Sequence, residues 1–224
     1  AGRLAAVISP HQTVEEAYLL AKLVRQYDPE ALLALGPVPT TGEDERFASG
    51  FTIHAEKCPN RRGVEAVLRH FAGEVTSFDE LLDKLESEQV KAVWIAGGYR
   101  ETWIDGATAD RLAGERLLIV QDMFDSPLWQ WAAYQLPGAS FAERSGSYVN
   151  FADRLQSFEW AIRPPAGVWI EGHLYWRMLG MRGLYNPRTV LSEIAANIGY
   201  FAAAGDEIPP VGVDLKVNQL AAAT

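Results

Sequence analysis

The chain has 224 residues, a formal net charge of −9 and a single cysteine, Cys58. Hydrophobic residues make up 48% of it, which suffices for the core of one large domain and argues against disorder. One thiol cannot form an internal disulfide, and it cannot by itself hold a structural zinc ion or an iron–sulfur cluster, because such sites need several thiolates or imidazoles.

The charge balance of 29 acidic against 20 basic residues argues against nucleic acid as the main partner, because phosphate backbones are bound by clustered Lys and Arg. No run approaches the roughly 18 apolar residues that a membrane helix needs. We therefore expect a protein of a reducing compartment, the cytoplasm, without direct membrane insertion.

The first elements follow a strand–turn–helix pattern. Residues 4–8 are an apolar run typical of a short buried strand. Thr13 and Glu16 match a capping box, which predicts a helix that ends near Asp28 before Pro. Residues 36–60 are rich in Gly, Pro, Thr and charge, and they indicate a long excursion over the surface.

Strands and helices continue to alternate as far as residue 120. The predicted elements are a helix over 63–71, a helix capped by Ser77 and Glu80, a strand over 90–96, a helix over 107–112 and a strand over 117–120. This alternation is typical of an α/β fold with a largely parallel sheet flanked by helices.

The last third of the chain has a different pattern. Five of the seven tryptophans lie from residue 129 on, and a helix is predicted to begin at Asn186 and Pro187. We expect an α/β domain over 1–165 and a helical extension over 166–224 that packs on it. The tryptophans either fill the core or mark an interface with a partner, and the sequence leaves both open.

Gly97 and Gly98 follow the predicted strand over 90–96. Ligands of open α/β sheets bind at the carboxyl ends of strands, and glycine there would let a phosphate or a pterin approach the backbone. The alternative is a plain tight turn.

The tract over 136–156 is too polar for a core strand and too poor in Pro and Lys for a disordered linker. We expect a buried loop whose backbone groups are satisfied by its own side chains or by a ligand. Arg154 is suited to a bidentate pair with Glu143 or with a ligand phosphate.

This tract resembles a motif of the molybdopterin oxidoreductase family, E-x-x-G-[ST]-x-x-N-x-x-x-R-x-Q. Residues 9–25 are similar to the family's S-P-x-x-T-N-E-E-x-Y-L-x-x-K-L-x-R helix, and residues 132–137 to its A-D-x-x-L-P element. Residues 60–63 and the glycine pair are placed as in the complex I branch of the family, which contains the large iron–sulfur subunit of bacterial NADH:quinone oxidoreductase, respiratory complex I.

Some positions depart from the family's pattern. Ala133 stands where Asp is usual, Ser147 where Thr is commoner, and Ala152 and Asp153 where Glu-Gly is usual. Nothing matches the family's N-terminal cysteine motif for a [4Fe–4S] cluster, and no Cys or Ser is placed as a molybdenum ligand. The pattern of the family's C-terminal β-barrel is also missing.

The resemblance implies a formate dehydrogenase-like α/β domain. In the enzyme branch the cofactor is molybdopterin guanine dinucleotide, and the family also uses iron–sulfur clusters, but the complex I branch has lost the molybdenum cofactor. We expect no cofactor, no catalytic residue and no metal ligand in this chain. The residues that would bind the pterin, or would serve the loop structurally, are Gly97, Gly98, Glu143, Gly146, Ser147, Asn150, Arg154 and Gln156.

Three functions follow. The favoured one is a non-redox scaffold portion of a homologue of the large iron–sulfur subunit, which supports electron transfer by the cluster-bearing parts and is held at the inner face of the membrane through partner subunits. The second is a fragment of a formate dehydrogenase-like enzyme that contributes to the pterin site. The third is an independent nucleotide-binding domain, against which the lack of a Gly-rich fingerprint counts.

Overall fold

A computed structural model describes residues 3–216 of the chain. The strands are β1 (Arg3–Ile8), β2 (Leu32–Leu35), β3 (Glu45–Arg46), β4 (Thr52–Ile53), β5 (Val90–Ala96), β6 (Leu117–Asp122), β7 (Tyr134–Pro137), β8 (Gly146–Val149), β9 (Arg154–Phe158) and β10 (Val213–Asp214). The helices are α1 (Val14–Tyr27), α2 (Arg61–Ala72), α3 (Phe78–Ser87), α4 (Gly106–Ala113), α5 (Glu171–Met178) and α6 (Pro187–Asn197).

The central sheet has five parallel strands in the order β2-β1-β5-β6-β7. The connections between these strands contain α1 to α4, as parallel pairing requires. The predicted α/β class with a parallel sheet flanked by helices is confirmed. The chain reverses its direction of travel across the sheet at β1, so the carboxyl ends of β1 and β5 form the edge where ligands of such sheets bind.

Alternating side chains of the sheet enter two separate cores. Ala6 and Ile8 of β1 face a core that also contains the buried residues of α1, α2, α5 and α6, whereas Ala5 and Val7 face a smaller core with α3 and α4. Residues of the last third, such as Phe201, join the first core. No described helix has the length and apolar character to span a membrane.

The capped helices lie where the sequence predicts them. Thr13 and Glu16 form a complete capping box at the start of α1, and Ser77 and Glu80 do so at α3. The predicted helices over 63–71 and 107–112 and the strands over 90–96 and 117–120 are confirmed as α2, α4, β5 and β6, and Asn186 caps α6. Among the elements of the central sheet and the helices, β2, β7 and α5 were not predicted.

The polar tract over 136–156 is not the loop that we expected. Its second half forms an antiparallel hairpin of β8 and β9, which β10 extends to three strands. The strands escape recognition because β8, whose buried residues include Ser147 and Val149 on one face, packs on α1 and α2 rather than on an apolar sheet. A Cβ atom at position 146 would come within 2.6 Å of Thr13 Cγ2, so glycine permits this close approach.

Asp153 fixes the tip of this hairpin. Its φ of +60° is left-handed, which explains why glycine is usual here in the family that the sequence resembles. The carboxylate accepts hydrogen bonds from Tyr200 Oη at 2.7 Å and from Arg62 Nη1 at 3.1 Å. Lys216 Nζ lies 3.3 Å from its second oxygen. Asp153 thus joins the hairpin to α2 and to the last described residues.

We expect Asp153→Gly to lower the free energy of unfolding by about 1–3 kcal/mol, because it removes three polar contacts but keeps the left-handed backbone favourable. Asp153→Ala should cost about 1 kcal/mol more, since alanine also strains that backbone. Urea unfolding of both variants measures the two effects. Gln89→Gly is the matched control, because Gln89 also has a positive φ but makes no side-chain hydrogen bond within residues 3–216, and it should be neutral or stabilising. Equal stability of Asp153→Gly and the parent would show that the contacts of the Asp153 side chain do not stabilise the fold.

Candidate functional site

Two acidic residues of α1 are buried at its first turn. The helix packs against β1 on one side and against α2, α5, α6 and β8 on the other, so Glu15 and Glu16 are each only 1% exposed. Glu16 accepts a hydrogen bond from the Thr13 backbone N–H at 3.0 Å and closes the capping box. A carboxylate at this depth needs a cation or several donors.

Arg144 supplies the cation. Its Nη1 donates to Glu16 Oε2 at 3.0 Å and lies 3.4 Å from Glu171 Oε2, and its Nη2 donates to the carbonyl of His11 at 3.0 Å. Arg144 itself is 3% exposed. One guanidinium therefore joins α1, the segment before β8 and the first turn of α5.

Glu15 and Glu171 complete this buried charge cluster, which we define as Glu15, Glu16, Arg144 and Glu171. Glu15 Oε2 accepts the backbone N–H of Ser147 at 2.9 Å, and Glu171 Oε2 accepts that of Ala139 at 3.3 Å. The cluster holds three carboxyl groups against one guanidinium. Full ionisation would therefore leave buried negative charge without a counterion.

The pKa values of the cluster reflect this imbalance. Burial raises the pKa of Glu15 to about 7, despite the hydrogen bonds from Ser147. Burial likewise raises the pKa of Glu171, although Arg144 opposes the shift. Burial opposes the charge of Arg144, but the carboxylates of Glu16 and Glu171 raise its pKa above the usual value. Near neutral pH the cluster can thus hold a proton on a carboxyl group.

The glycine turn after β5 lies beside an aspartate. Asp122, at the end of β6, accepts hydrogen bonds from the backbone N–H of Gly98 at 2.8 Å, the backbone N–H of Met123 at 2.8 Å and Trp103 Nε1 at 2.9 Å. A Cβ atom at position 97 would overlap the Asp122 carboxylate, so the glycine makes room for that side chain. Burial raises the pKa of Asp122.

The turn is also held from the β1 side. Gln12 Nε2 donates to the carbonyl of Gly97 at 3.1 Å, while Gln12 Oε1 and His11 Nδ1 are buried without a partner among the described residues. Burial, and then the charge of Arg144, lower the pKa of His11 to about 4, so its ring is neutral at pH 7. The glycine turn and the charge cluster therefore meet at His11.

A cleft of about 780 Å³ opens on the other side of Arg144. It lies between the hairpin, α5 and the start of α6, and its size is that of a small-molecule site. Glu15, Glu143, Gly146 and Ser147 lie on one side. Further lining residues are Phe158, Trp160, Arg163, His173, Tyr185 and Arg188.

The predicted site residues are divided between these places. Gly97 and Gly98 lie at the carboxyl edge of the sheet, and Glu143, Gly146 and Ser147 line the cleft. Glu143 accepts the backbone N–H of Ser140 at 2.8 Å and caps a 3₁₀ turn over Phe141–Glu143. The assignment of these residues to a cofactor remains a prediction.

The remaining predicted residues lie toward the tip of the hairpin. Asn150 Oδ1 accepts the backbone N–H groups of Ala152 at 2.9 Å and Arg154 at 3.1 Å, which closes the turn. Arg154 Nη1 donates to the carbonyls of Val211 at 3.2 Å and Gly212 at 3.4 Å, rather than pairing with Glu143. Gln156 is exposed on β9 opposite Tyr148.

The charge cluster and Asp122 were not predicted from the sequence. The capping box identified Glu16 as a helix residue but not as a partner of Arg144, because 128 positions separate the two. The one available signal was the pair of adjacent acids, Glu15 and Glu16, in the first turn of α1.

Comparison with known proteins shows which family part of the chain resembles. The molybdopterin oxidoreductase family matches residues 60–168. Just under half of the chain is therefore similar to this family. The matched residues run from the start of α2 to the segment before α5, and they include the glycine turn, Asp122, Arg144 and the hairpin.

Two curated proteins are similar to parts of the chain. The alpha subunit of an NADPH-Fe(3+) oxidoreductase from Geobacter sulfurreducens is 29% identical over 132 residues, which are 56% of this chain and 16% of that protein. The alpha subunit of an F420-dependent formate dehydrogenase from Methanococcus maripaludis is 35% identical over 104 residues, which are 44% of this chain and 15% of that protein. The chain thus matches about one sixth of the length of these relatives.

A solved structure of a DJ-1 superfamily protein from Agrobacterium tumefaciens aligns with 92% of this chain and all of its own, with 13% identity and a TM-score of 0.30. That score is too low to relate the two folds.

We expect Arg144→Met to lower the free energy of unfolding by about 3–5 kcal/mol, because it leaves three buried carboxyl groups without a cation. Arg111→Met is the matched control: Arg111 pairs with Asp83 on the surface, and its loss should cost less than about 1 kcal/mol. Urea unfolding at constant pH measures both variants. Equal costs for the two substitutions would show that the cluster does not stabilise the fold.

The pH dependence tests Glu15. A carboxyl group with a raised pKa binds more protons in the folded state, so its contribution to stability falls as pH rises from the unfolded value of about 4.5 through about 7. We expect the stability of the parent relative to Glu15→Gln to fall by about 2–3 kcal/mol between pH 5 and pH 8. Glutamine keeps an oxygen that can accept the Ser147 N–H. His11 is present in both proteins, and its contribution to stability rises with pH, so that contribution cancels when the two stabilities are subtracted. A constant difference would show that Glu15 is ionised throughout.

Proposed function

We propose that this chain is a non-redox scaffold portion of a larger oxidoreductase subunit, in the manner of the large iron–sulfur subunit of NADH:quinone oxidoreductase. It acts in the cytoplasm, where it packs against the cluster-bearing parts and neighbouring subunits at the inner face of the membrane. In this role the domain does not carry electrons but supports the arrangement of the parts that do.

The observation that carries the proposal is the hydrogen bond between the glycine turn and Asp122. Molybdopterin carries phosphate, and a phosphate at this edge of the sheet would bind the N–H of Gly98. That N–H is already donated to Asp122, and the buried carboxylate stands where the anion would approach. The residues present at the turn therefore do not fit the phosphate of the cofactor.

The side chains of the hairpin also support a structural role. Asn150 closes its own turn, Arg154 binds carbonyls of residues 211 and 212, and Glu143 caps a 3₁₀ turn. These side chains satisfy the backbone of the chain itself, as polar residues with a structural role do. These contacts support a structural role for the motif.

The relatives support a role inside a larger assembly. Both are named as alpha subunits, and the matched regions cover only 16% and 15% of them. A domain of this size within such a subunit must share surfaces with the rest of it. The specific complex is part of the proposal and rests on the resemblance of residues 60–63 and of the glycine pair.

A second candidate function is a contribution to a pterin site in a formate dehydrogenase-like enzyme. The cleft beside Glu143, Gly146 and Ser147 favours it, because its volume suits a ligand and its walls combine aromatic rings with polar groups. If the cofactor binds there, it supplies the redox chemistry and this chain positions it. Glu15 and Ser147 would then form the polar floor of the site.

Elemental and pterin analysis of the purified protein separates the two candidates. The scaffold role predicts no stoichiometric molybdenum, tungsten or iron, and no pterin fluorescence after oxidation of the denatured protein. Stoichiometric molybdenum with pterin would overturn it in favour of the enzyme. A control preparation of a molybdenum enzyme from the same host shows that the cofactor is available for insertion.

A further inference from the structure

The charges around the cleft beside Arg144 do not balance. The charged residues that line it are four glutamates and three arginines: Glu15, Glu143, Glu159, Glu207, Arg144, Arg163 and Arg188. Two more carboxyl groups, those of Glu16 and Glu171, share the guanidinium of Arg144 from behind. Six carboxyl groups thus surround three guanidinium groups at this cleft.

The positive charges of the cleft are largely engaged by the chain itself. Arg144 is held by the buried carboxyl groups of the charge cluster. Arg188 donates to the carbonyls of residues 204 and 205, and Arg163 is exposed, where water screens its charge. Burial lowers the pKa of His173, so this lining residue is neutral at pH 7. The floor of the cleft therefore favours a ligand with positive charge.

A buried hydroxyl group of the cleft lacks a hydrogen-bond partner. Tyr185 lines the cleft, and its Oη is buried and unpartnered within residues 3–216. A Cβ atom at Gly172 would overlap the end of the Tyr185 ring, so glycine makes room for this side chain. Burial, and then the charge of Glu15, raise the pKa of Tyr185, so the hydroxyl is neutral. Because an unpaired buried hydroxyl costs free energy, an N–H group of a ligand would stabilise this arrangement.

Aromatic rings form another part of the cleft wall. Phe158 of β9 and Trp160, which follows this strand, both line the cleft. The ring of Tyr148 packs against that of Phe158, with the ring centroids 4.7 Å apart. Trp160 is 54% exposed. The faces of aromatic rings attract organic cations, and those of tryptophan do so most strongly.

We propose that the cleft binds a small organic ammonium ion. Its N–H groups are directed to Glu15 and to the hydroxyl oxygen of Tyr185, and its hydrocarbon part lies against Phe158 and Trp160. The positive charge offsets the excess of carboxyl groups, and the hydrocarbon part covers apolar surface. The volume of about 780 Å³ suits a ligand of this class.

Calorimetric titration of the whole chain with three probes of similar shape tests the charge of the ligand. The probes are phenethylammonium, the neutral 2-phenylethanol and the anionic 3-phenylpropionate. We expect phenethylammonium to bind about tenfold more tightly than the alcohol, and the anion to bind most weakly. Equal affinities of the amine and the alcohol, or no measurable binding of the amine, would overturn the proposal. Tighter binding of the anion would also overturn it and would favour the phosphate-bearing cofactor of the second candidate function.

Two variants locate the site. Glu15→Gln should weaken the binding of phenethylammonium about tenfold, because glutamine carries no charge. Glu74→Gln is its matched control, since Glu74 is an exposed glutamate before α3. Trp160→Ala should weaken binding about threefold, whereas Phe51→Ala, which removes an exposed ring beside β4, should not change it. Circular dichroism shows that the variants are folded, and unchanged affinity in Glu15→Gln or in Trp160→Ala would overturn the proposal.

The pH dependence of binding is a further readout. Burial raises the pKa of Glu15 to about 7, and a bound cation favours its ionised form. The titratable and charged groups of the cluster and the cleft nearest to it are Glu16, Arg144, Glu171, His173 and Tyr185. We expect the affinity for phenethylammonium to rise between pH 6 and pH 8, and to rise less in Glu15→Gln, which keeps these other groups. An equal rise in both proteins would contradict contact with Glu15. None of these results alters the scaffold role, which depends on the metal and pterin analyses.

Discussion

The ion pair between Arg144 and Glu16 is the interaction on which the arrangement of the domain depends. It is dehydrated on all sides, and Glu171 shares the same guanidinium. A buried ion pair adds little net stability compared with apolar packing, but it penalises any other arrangement, because each misplaced partner would be left as an unpaired buried charge. The cluster therefore fixes how the hairpin and α5 sit on α1 more than it strengthens their contact.

At the carboxyl edge of the sheet, side chains of the chain itself bond to the glycine turn. The fold retains the glycine turn and the reversal of strand order that make such edges suitable for phosphates. Here Asp122 provides the negative charge from within the chain, and Gln12 and Trp103 secure the turn on either side. A family resemblance at the level of motifs thus coexists with a turn whose Gly98 N–H is bonded to a side chain of the chain itself.

The sequence predicted the parts of the fold that have local signals. Capping boxes marked α1 and α3, and apolar runs before glycine or acidic residues marked β1, β5 and β6. The hairpin was missed because its strands are short and polar and rest on helices, so their side chains do not alternate as in a strand on an apolar core. The charge cluster was missed for a different reason: its members are far apart in sequence, and no local pattern shows that Arg144 and Glu171 converge on α1. Motif resemblance selected Glu143 and passed over its neighbour, Arg144.

The position of Arg144 also bears on the order in which the chain folds. Its bond to Glu16 joins residues 128 positions apart, and the bond of Asn60 Oδ1 to the Val149 N–H spans 89. Contacts of such long range form after local helices and hairpins, because the entropy of closing the intervening loop must first be overcome. Until residue 171 has joined the structure, the acidic first turn of α1 remains hydrated. We therefore expect enclosure of the helix to come late in folding, when the last third of the chain completes the core that the first helix begins.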